Sequence, residues 1–136
     1  MKQLFQSTDK DFVQTLPIFE YPGEIVLVDK VSDVRRAIRH LRNSKVLGID
    51  TETRPSFKKG VEYKVALLQI SDGKLCFLFR LNKIGFHDDL ADLLSDGTIV
   101  KVGLSLKDDF RALSRRKRFV PNACVDLQNY VKPMGI

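Results

Sequence analysis

The chain has 136 residues, 43% of them hydrophobic and 29% charged, enough to bury one core and too few for two comfortable domains. Lys and Arg number 23 against 17 Asp and Glu, a net charge of +6. That balance excludes an acidic, self-solvating chain and suits a polyanionic partner. Cys76 and Cys124, both in apolar strand-like stretches, read as reduced core residues and not as a disulfide framework or a zinc site.

No stretch nears the roughly 18 apolar residues that a membrane span needs. Met1 to Phe5 leads into no apolar signal core, so a cytoplasmic location is expected. A single domain covering 1–136 follows. In chain order, Ser7 to Leu16 fits a short helix, and Pro17 and Pro22 mark an irregular stretch after it. Glu24 to Asp29 reads as a short strand around Ile25-Val26-Leu27-Val28. Ser32 is then expected to cap a helix whose inner stripe is Val34, Ala37, Ile38 and Leu41 and whose outer face carries Arg35, Arg36, Arg39 and Arg42. His40 on this helix and His87 at the start of a later one have no Cys or His nearby, so neither reads as a ligand.

Three strands follow, Lys45 to Thr51, Lys64 to Ser71 and Lys74 to Arg80. Asp72-Gly73 makes a tight hairpin of the last two. The loop between the first two, Thr53 to Tyr63, carries Arg54, Lys58 and Lys59. Then come a helix from Asp88 to Leu94, a strand from Thr98 to Val102, a helix from Leu106 to Arg116, and a strand from Ala123 to Leu127. Strands separated by helices run parallel. The fold class is therefore α/β, a mixed sheet with an antiparallel three-strand meander followed by parallel βα units. The basic run Arg115 to Arg118 fits either a solvated helix end or a contact for a polyanion, and no helix is visible after the last strand.

The feature that carries chemistry is Asp50-Thr51-Glu52 at the end of Val46-Leu47-Gly48-Ile49. Alternation along a strand puts Asp50 and Glu52 on one side and Ile49 and Thr51 on the other. Two carboxylates together at a strand end are costly unless a cation neutralises them, and hard oxygen ligands suit Mg²⁺ or Mn²⁺. A parallel strand ending in Lys101-Val102-Gly103 delivers the next helix to the same edge. On that helix Asp109 lies four residues before Leu113, on the inward face, while Asp108 is left toward solvent. Arg54, Lys58 and Lys59 beside the pair are candidates for phosphate contacts. Asp126, at the end of the last strand, reads as structural.

Gly48-Ile49-Asp50-Thr51-Glu52-Thr53, then Val65-Ala66-Leu67-Leu68-Gln69-Ile70-Ser71, then Lys101-Val102-Gly103 with Asp109 and Leu113 together resemble the DEDD-type 3′→5′ exonucleases. The resemblance is to the branch containing ribonuclease D and the Werner exonuclease domain, and it runs from about residue 24 to the end. It implies a ribonuclease H-like sheet and two-metal hydrolysis at a single-stranded nucleic-acid 3′ end, DNA or RNA. It also implies Asp50 as bridging ligand, Glu52 on the first ion and orienting the water, and Asp109 on the second. The family's third motif, Tyr-x-x-x-Asp on a later helix, has no counterpart, since Tyr130 is followed by Pro133-Met134. C-terminal helices are therefore expected to be missing, activity to be low, and the uncovered sheet face to favour self-association. A non-catalytic nucleic-acid-binding module and a ribonuclease H-like endonuclease are the other readings kept.

Overall fold

The computed structural model describes residues 9–135. After α1 (Lys10–Thr15), the edge strand β1 (Glu24–Val28) and helix α2 (Val31–Leu41) lead into the meander of β2 (Val46–Thr53), β3 (Val65–Ser71) and β4 (Leu75–Arg80). The short α3 (Leu81–Ile84), α4 (Asp88–Ser95), β5 (Val100–Gly103), α5 (Leu106–Ser114) and β6 (Cys124–Asp126) follow. The last elements are α6 (Leu127–Val131) and a 3-10 turn, Lys132–Met134. The sheet order is β1-β4-β3-β2-β5-β6. β3 pairs antiparallel with β2 and β4, whereas β1 on β4, β5 on β2 and β6 on β5 are parallel. The expected meander and βα units are thus present.

Period-two alternation gives the sheet two unlike faces. One row runs Val26, Phe77, Ile70, Ile49 and the next Val28, Phe79, Leu68, Thr51. The helices pack on this side, with Val34, Ala37, Ile38 and Leu41 of α2, Leu90, Leu93 and Leu94 of α4, and Leu106, Phe110 and Leu113 of α5 completing one core. Lys101, in register with Leu47, is also fully buried there, and its Nζ donates to the carbonyls of Asp96 and Ile99 at 2.6 Å each. Burial of that ammonium pushes its pKa down, the neighbouring Asp96 opposing only in part. The opposite side carries Gly48, Asp50 and Glu52 with Ser71, Gln69 and Leu67. Ile25, Leu27 and Val46 on that side are 58%, 51% and 55% exposed.

Several local expectations are corrected. The N-cap of α2 is Lys30, without a side-chain hydrogen bond, and Ser32 lies inside the first turn. The helix begins earlier because Lys30 is the extended flanking residue, and Ser32, already helical one residue further in, does not occupy the capping position. The expected start of α1 at Ser7 lies outside the described residues; within them, Asp9 caps the helix through Asp11 N–H. Cys124 is exposed and Cys76 half-buried, so neither is a full core residue. Both are free; β6 is an edge strand, and Cys76 sits on the open face in register with Ser71. A five-residue helix, α6, follows β6 where none was expected. The basic run is an exposed helix end whose charges are partly paired, Arg118 having no partner among the described residues. Arg115 pairs with Glu62 at 2.8 Å, Arg116 donates to the Val65 carbonyl and to Asn82 at 2.7 Å each, and Lys117 pairs with Asp88. Among the described residues no helix is long and apolar enough to cross a membrane.

The β3–β4 hairpin turns on Asp72-Gly73, with Gly73 at φ 91°, a left-handed conformation that glycine adopts without Cβ strain. Asp72 Oδ1 accepts the N–H groups of Lys74 and Leu75 at 2.8 Å each, and its Oδ2 lies 2.9 Å from His40 Nε2 on α2. His40, expected at the surface, is therefore a tie between helix and hairpin and packs its ring on Phe77. Burial pushes the Asp72 carboxyl up and is its largest single influence. The backbone donors of Leu75 and Lys74 and then His40 outweigh it, leaving the pKa below the ordinary 3.8. An acid whose folded pKa is depressed stabilises the fold above its unfolded value and loses that contribution as pH falls through the folded one. Asp72→Ala is expected to cost about 2 kcal/mol at pH 7. Urea unfolding checks it, and the gap to the parent chain should narrow below pH 3.8.

Candidate functional site

β2 presents its carboxylates where the sheet stops being regular. Asp50 pairs with Gln69 and Glu52 with Leu67, and the register then slips between Glu52 and Thr53. A bulge of this kind bends a strand end and re-aims the side chains beside it. Asp50 walls a concavity of about 350 Å³ on the open sheet face, lined also by Gly48, Gln69, Ser71, Cys76 and Val102. Its Oδ1 accepts the Thr51 N–H at 2.9 Å. Glu52 is exposed and makes no hydrogen bond or ion pair among the described residues.

Asp109 reaches this strand from the other direction. β5 lies parallel to β2, Gly48 in register with Val102, and Gly103 then allows the chain to turn tightly into α5. A Cβ on Gly103 would stand 2.6 Å from the Ile49 carbonyl oxygen and 2.5 Å from Leu106 Cδ2. Asp126 holds the start of the helix. Its two oxygens accept the N–H groups of Ser105 at 3.2 Å and Leu106 at 3.1 Å, and Oδ1 also caps α6 through Gln128 N–H at 3.0 Å. These bonds give Asp126 a structural role, as its sequence position suggests. With that anchor, Phe110 and Leu113 go into the core and Asp109 lands on Thr51, whose hydroxyl donates to Asp109 Oδ1 at 2.5 Å. Asp108 is exposed.

The environment of Asp109 is unfavourable to its charge. Oδ2 is buried with no hydrogen-bond partner among the described residues. Burial raises the carboxyl pKa above 3.8; the Thr51 hydroxyl offsets part of this, and the negative charges of Asp50, Asp108 and Asp126 add to it. An orphaned carboxylate oxygen within the field of a second carboxylate is an arrangement that a hard cation relieves. Asp50 and Asp109 thus stand at the same end of β2 but reach it from opposite faces of the sheet, near enough for the Asp50 charge to act on the Asp109 carboxyl. Among the described residues no three acidic, His or Cys side chains form a metal-holding group, so the expected gathering of Asp50, Glu52 and Asp109 into one cluster is not seen in this arrangement.

The loop after β2 carries the cationic candidates. The Arg54 guanidinium lies 4.8 Å from the centroid of the Tyr63 ring, a cation–π contact. Lys58 and Lys59 are exposed and unpaired among the described residues, and Phe57 beside them is 95% exposed. Thr51 is a site residue that the sequence reading misses. The signal for it is its alternation out of phase with Asp50, which aims it at whatever helix covers the inner face.

A sequence profile of the 3′-5′ exonuclease family matches residues 25–133. The chain belongs to the 3′-5′ exonuclease family. It is 33% identical over 101 residues to the mouse bifunctional 3′-5′ exonuclease/ATP-dependent helicase WRN, covering 69% of this chain and 7% of that protein. It is 34% identical over 106 residues to human exonuclease 3′-5′ domain-containing protein 2, covering 74% of this chain and 16% of that one. The chain thus spans well under a quarter of these two relatives. The EXD2 exonuclease domain superposes with a TM-score of 0.70 at 30% identity, covering 82% of this chain and 60% of that one, and has also been solved soaked in Mn and GMP. A Trypanosoma brucei RNase D solved in complex with RNA U12 superposes with a TM-score of 0.68 at 25% identity, covering 79% and 39%. The ribonuclease H-like sheet expected from the motifs is therefore the fold of this family member.

Proposed function

We propose that this exonuclease-family chain carries the hydrolytic face of a divalent-metal-dependent enzyme that removes nucleotides from the 3′ end of a single-stranded nucleic acid. The observation that carries the proposal is the buried, unpartnered Oδ2 of Asp109 beside the charge of Asp50. The Mg- and Mn-soaked EXD2 domains and the RNA-bound RNase D support it by relationship.

Asp50 and Asp109 are the oxygen donors that would hold Mg²⁺ or Mn²⁺, with Glu52 contributing from the same strand. Bound there, such ions supply an activated water and charge stabilisation on the phosphoryl oxygens. The chain's own groups do the positioning. Thr51 fixes one Asp109 oxygen and leaves the other free. Glu52, exposed on the Asp50 side, is placed to orient the attacking water and take its proton. Lys58 and Lys59 grip phosphates without reading bases. Water adds to the terminal phosphorus, the bond to the 3′ oxygen of the preceding nucleotide breaks, and that oxygen is protonated. The products are a nucleoside 5′-monophosphate and a strand with a new 3′-hydroxyl.

The test uses a 5′-labelled single strand with a free 3′-hydroxyl and a circular strand of the same sequence. In Mn²⁺ the linear strand should shorten progressively from its 3′ end, and EDTA should stop it. The circle should remain intact. Cutting of the circle would make the chain an endonuclease, and tight binding without shortening would make it a nucleic-acid-binding module with an idle site.

A further inference from the structure

We infer that Phe57 is a base-stacking residue, a platform on which one base of a single-stranded nucleic acid rests while Lys58 and Lys59 hold the adjoining phosphates. Phe57 is the most exposed large apolar side chain among the described residues, at 95%. Its ring meets no other ring among the described residues, whereas Phe77, Phe79, Phe86, Phe110 and Phe119 all do.

The loop that presents Phe57 is tied down around it. Arg54 stacks on Tyr63 and closes the base of the loop. Glu62 is paired with Arg115 at the end of α5, and the turn from Lys58 to Val61 is closed by a 3.2 Å backbone bond with Gly60 at φ 77°. The Ser56 hydroxyl donates to the Lys58 carbonyl at 3.2 Å, fixing the segment on either side of Phe57. An aromatic ring held into solvent by an anchored loop wastes the burial its area would otherwise give, and an exposed ring beside free ammonium groups is the pairing that binds single strands without sequence preference. Phe57 follows Glu52 by five positions, so their Cα atoms lie within about 18 Å of each other. A base stacked on it would belong to the strand whose 3′ terminus enters the site.

The arginines of α2 do not offer a competing anion surface. Arg35 is paired with Asp89, Arg36 with Asp33 and Arg42 with Asp96, which leaves Arg39 as the arginine of that face without a partner among the described residues. Lys58 and Lys59 of the Phe57 loop are among the cations left without an ion pair among the described residues, as is Lys107 on α5.

This inference rests on the nucleic-acid reading above, and the experiment separates the two. Anisotropy of a labelled ten-nucleotide single strand in EDTA reports binding without hydrolysis. Phe57→Ala should bind about tenfold more weakly with its salt dependence unchanged, and Phe57→Trp should bind at least as well as the parent chain. Lys58→Ala with Lys59→Ala should instead flatten the salt slope by about 0.7 for each phosphate no longer neutralised. On a strand of the same length lacking bases, parent and Phe57→Ala should bind alike. If the parent chain binds but Phe57→Ala matches it on the normal strand, the stacking role is wrong and the nucleic-acid reading stands. No binding by the parent chain overturns both. A Phe57→Ala effect that appears equally on the baseless strand, or only as loss of self-association, also overturns the stacking role. Because the side chain is exposed, its removal should leave the unfolding curve in place, which guards against a folding artefact.

Discussion

An Asp109→Asn chain is expected to shorten a 3′-hydroxyl strand about a thousandfold more slowly than the parent, near 4 kcal/mol of transition-state stabilisation, and yet to be the more stable protein when no metal is bound. Both effects come from one oxygen. Oδ2 is buried without a partner among the described residues, and burial together with the nearby Asp50, Asp108 and Asp126 charges raises the carboxyl pKa in spite of the Thr51 hydroxyl. An acid whose folded pKa is raised weakens the fold above that pKa, and the penalty disappears below the unfolded value of 3.8. The amide is neutral at every pH, and the partial exposure of the group limits the gain to roughly 1 kcal/mol. Thermal unfolding in EDTA at pH 7 should place the variant above the parent, with the two curves merging toward pH 3.8. Added Mn²⁺ should stabilise the parent and leave the variant unmoved. A variant that keeps its activity, or responds to Mn²⁺ as the parent does, would remove Asp109 from the metal site.

Gly103→Val should cost about 3 kcal/mol or more, a large share of the roughly 5–15 kcal/mol typical of a whole domain. Even the first added carbon would sit 2.6 Å from the Ile49 carbonyl oxygen, a backbone atom of a central strand that cannot swing aside as a side chain does. The strand end must then move away from β2, and α5 moves with it, because Ser105 and Leu106 follow directly and are pinned to Asp126. The loss should therefore appear twice, as a lower urea midpoint and as a weaker Mn²⁺ response from the displaced Asp109. A Gly103→Val chain as stable as the parent would mean that β5 and β2 do not approach so closely.

The parts legible in the sequence are those with a period or a turn signature. The alternation of Val46 to Glu52 puts Asp50 and Glu52 on one face, Asp72-Gly73 marks the hairpin, and the four-residue step from Asp109 to Leu113 puts the aspartate on the inner side of its helix. What escapes is decided at a distance. Arg115 and Glu62 are 53 positions apart, and nothing local in the basic run says that Arg115 is taken up by an ion pair and Arg116 by a strand carbonyl. Nothing local marks Lys101 as buried, and the closeness of the Asp96 and Ile99 carbonyls is what lets the core accept it. The helices α3 and α6, of four and five residues, are too short to show a 3.6-residue period. Thr51 reads as filler between two acids, since its value depends on the helix that arrives from residue 106 onward.

The two faces of the sheet also bear on how such a protein can change. The helices α2, α4 and α5 all insert their apolar stripes on the side of Ile49 and Phe79, while Asp50, Glu52, Gln69 and Ser71 lie on the other. A substitution on the inner side disturbs a close-packed interior, where one misplaced methylene is felt. A substitution at Val46, Ile25 or Gln69 meets solvent or an open concavity. The open face can therefore vary in sequence while the packed side of the same sheet stays untouched. Thr51, aimed inward yet bonded to Asp109, is a position where the two would have to change together.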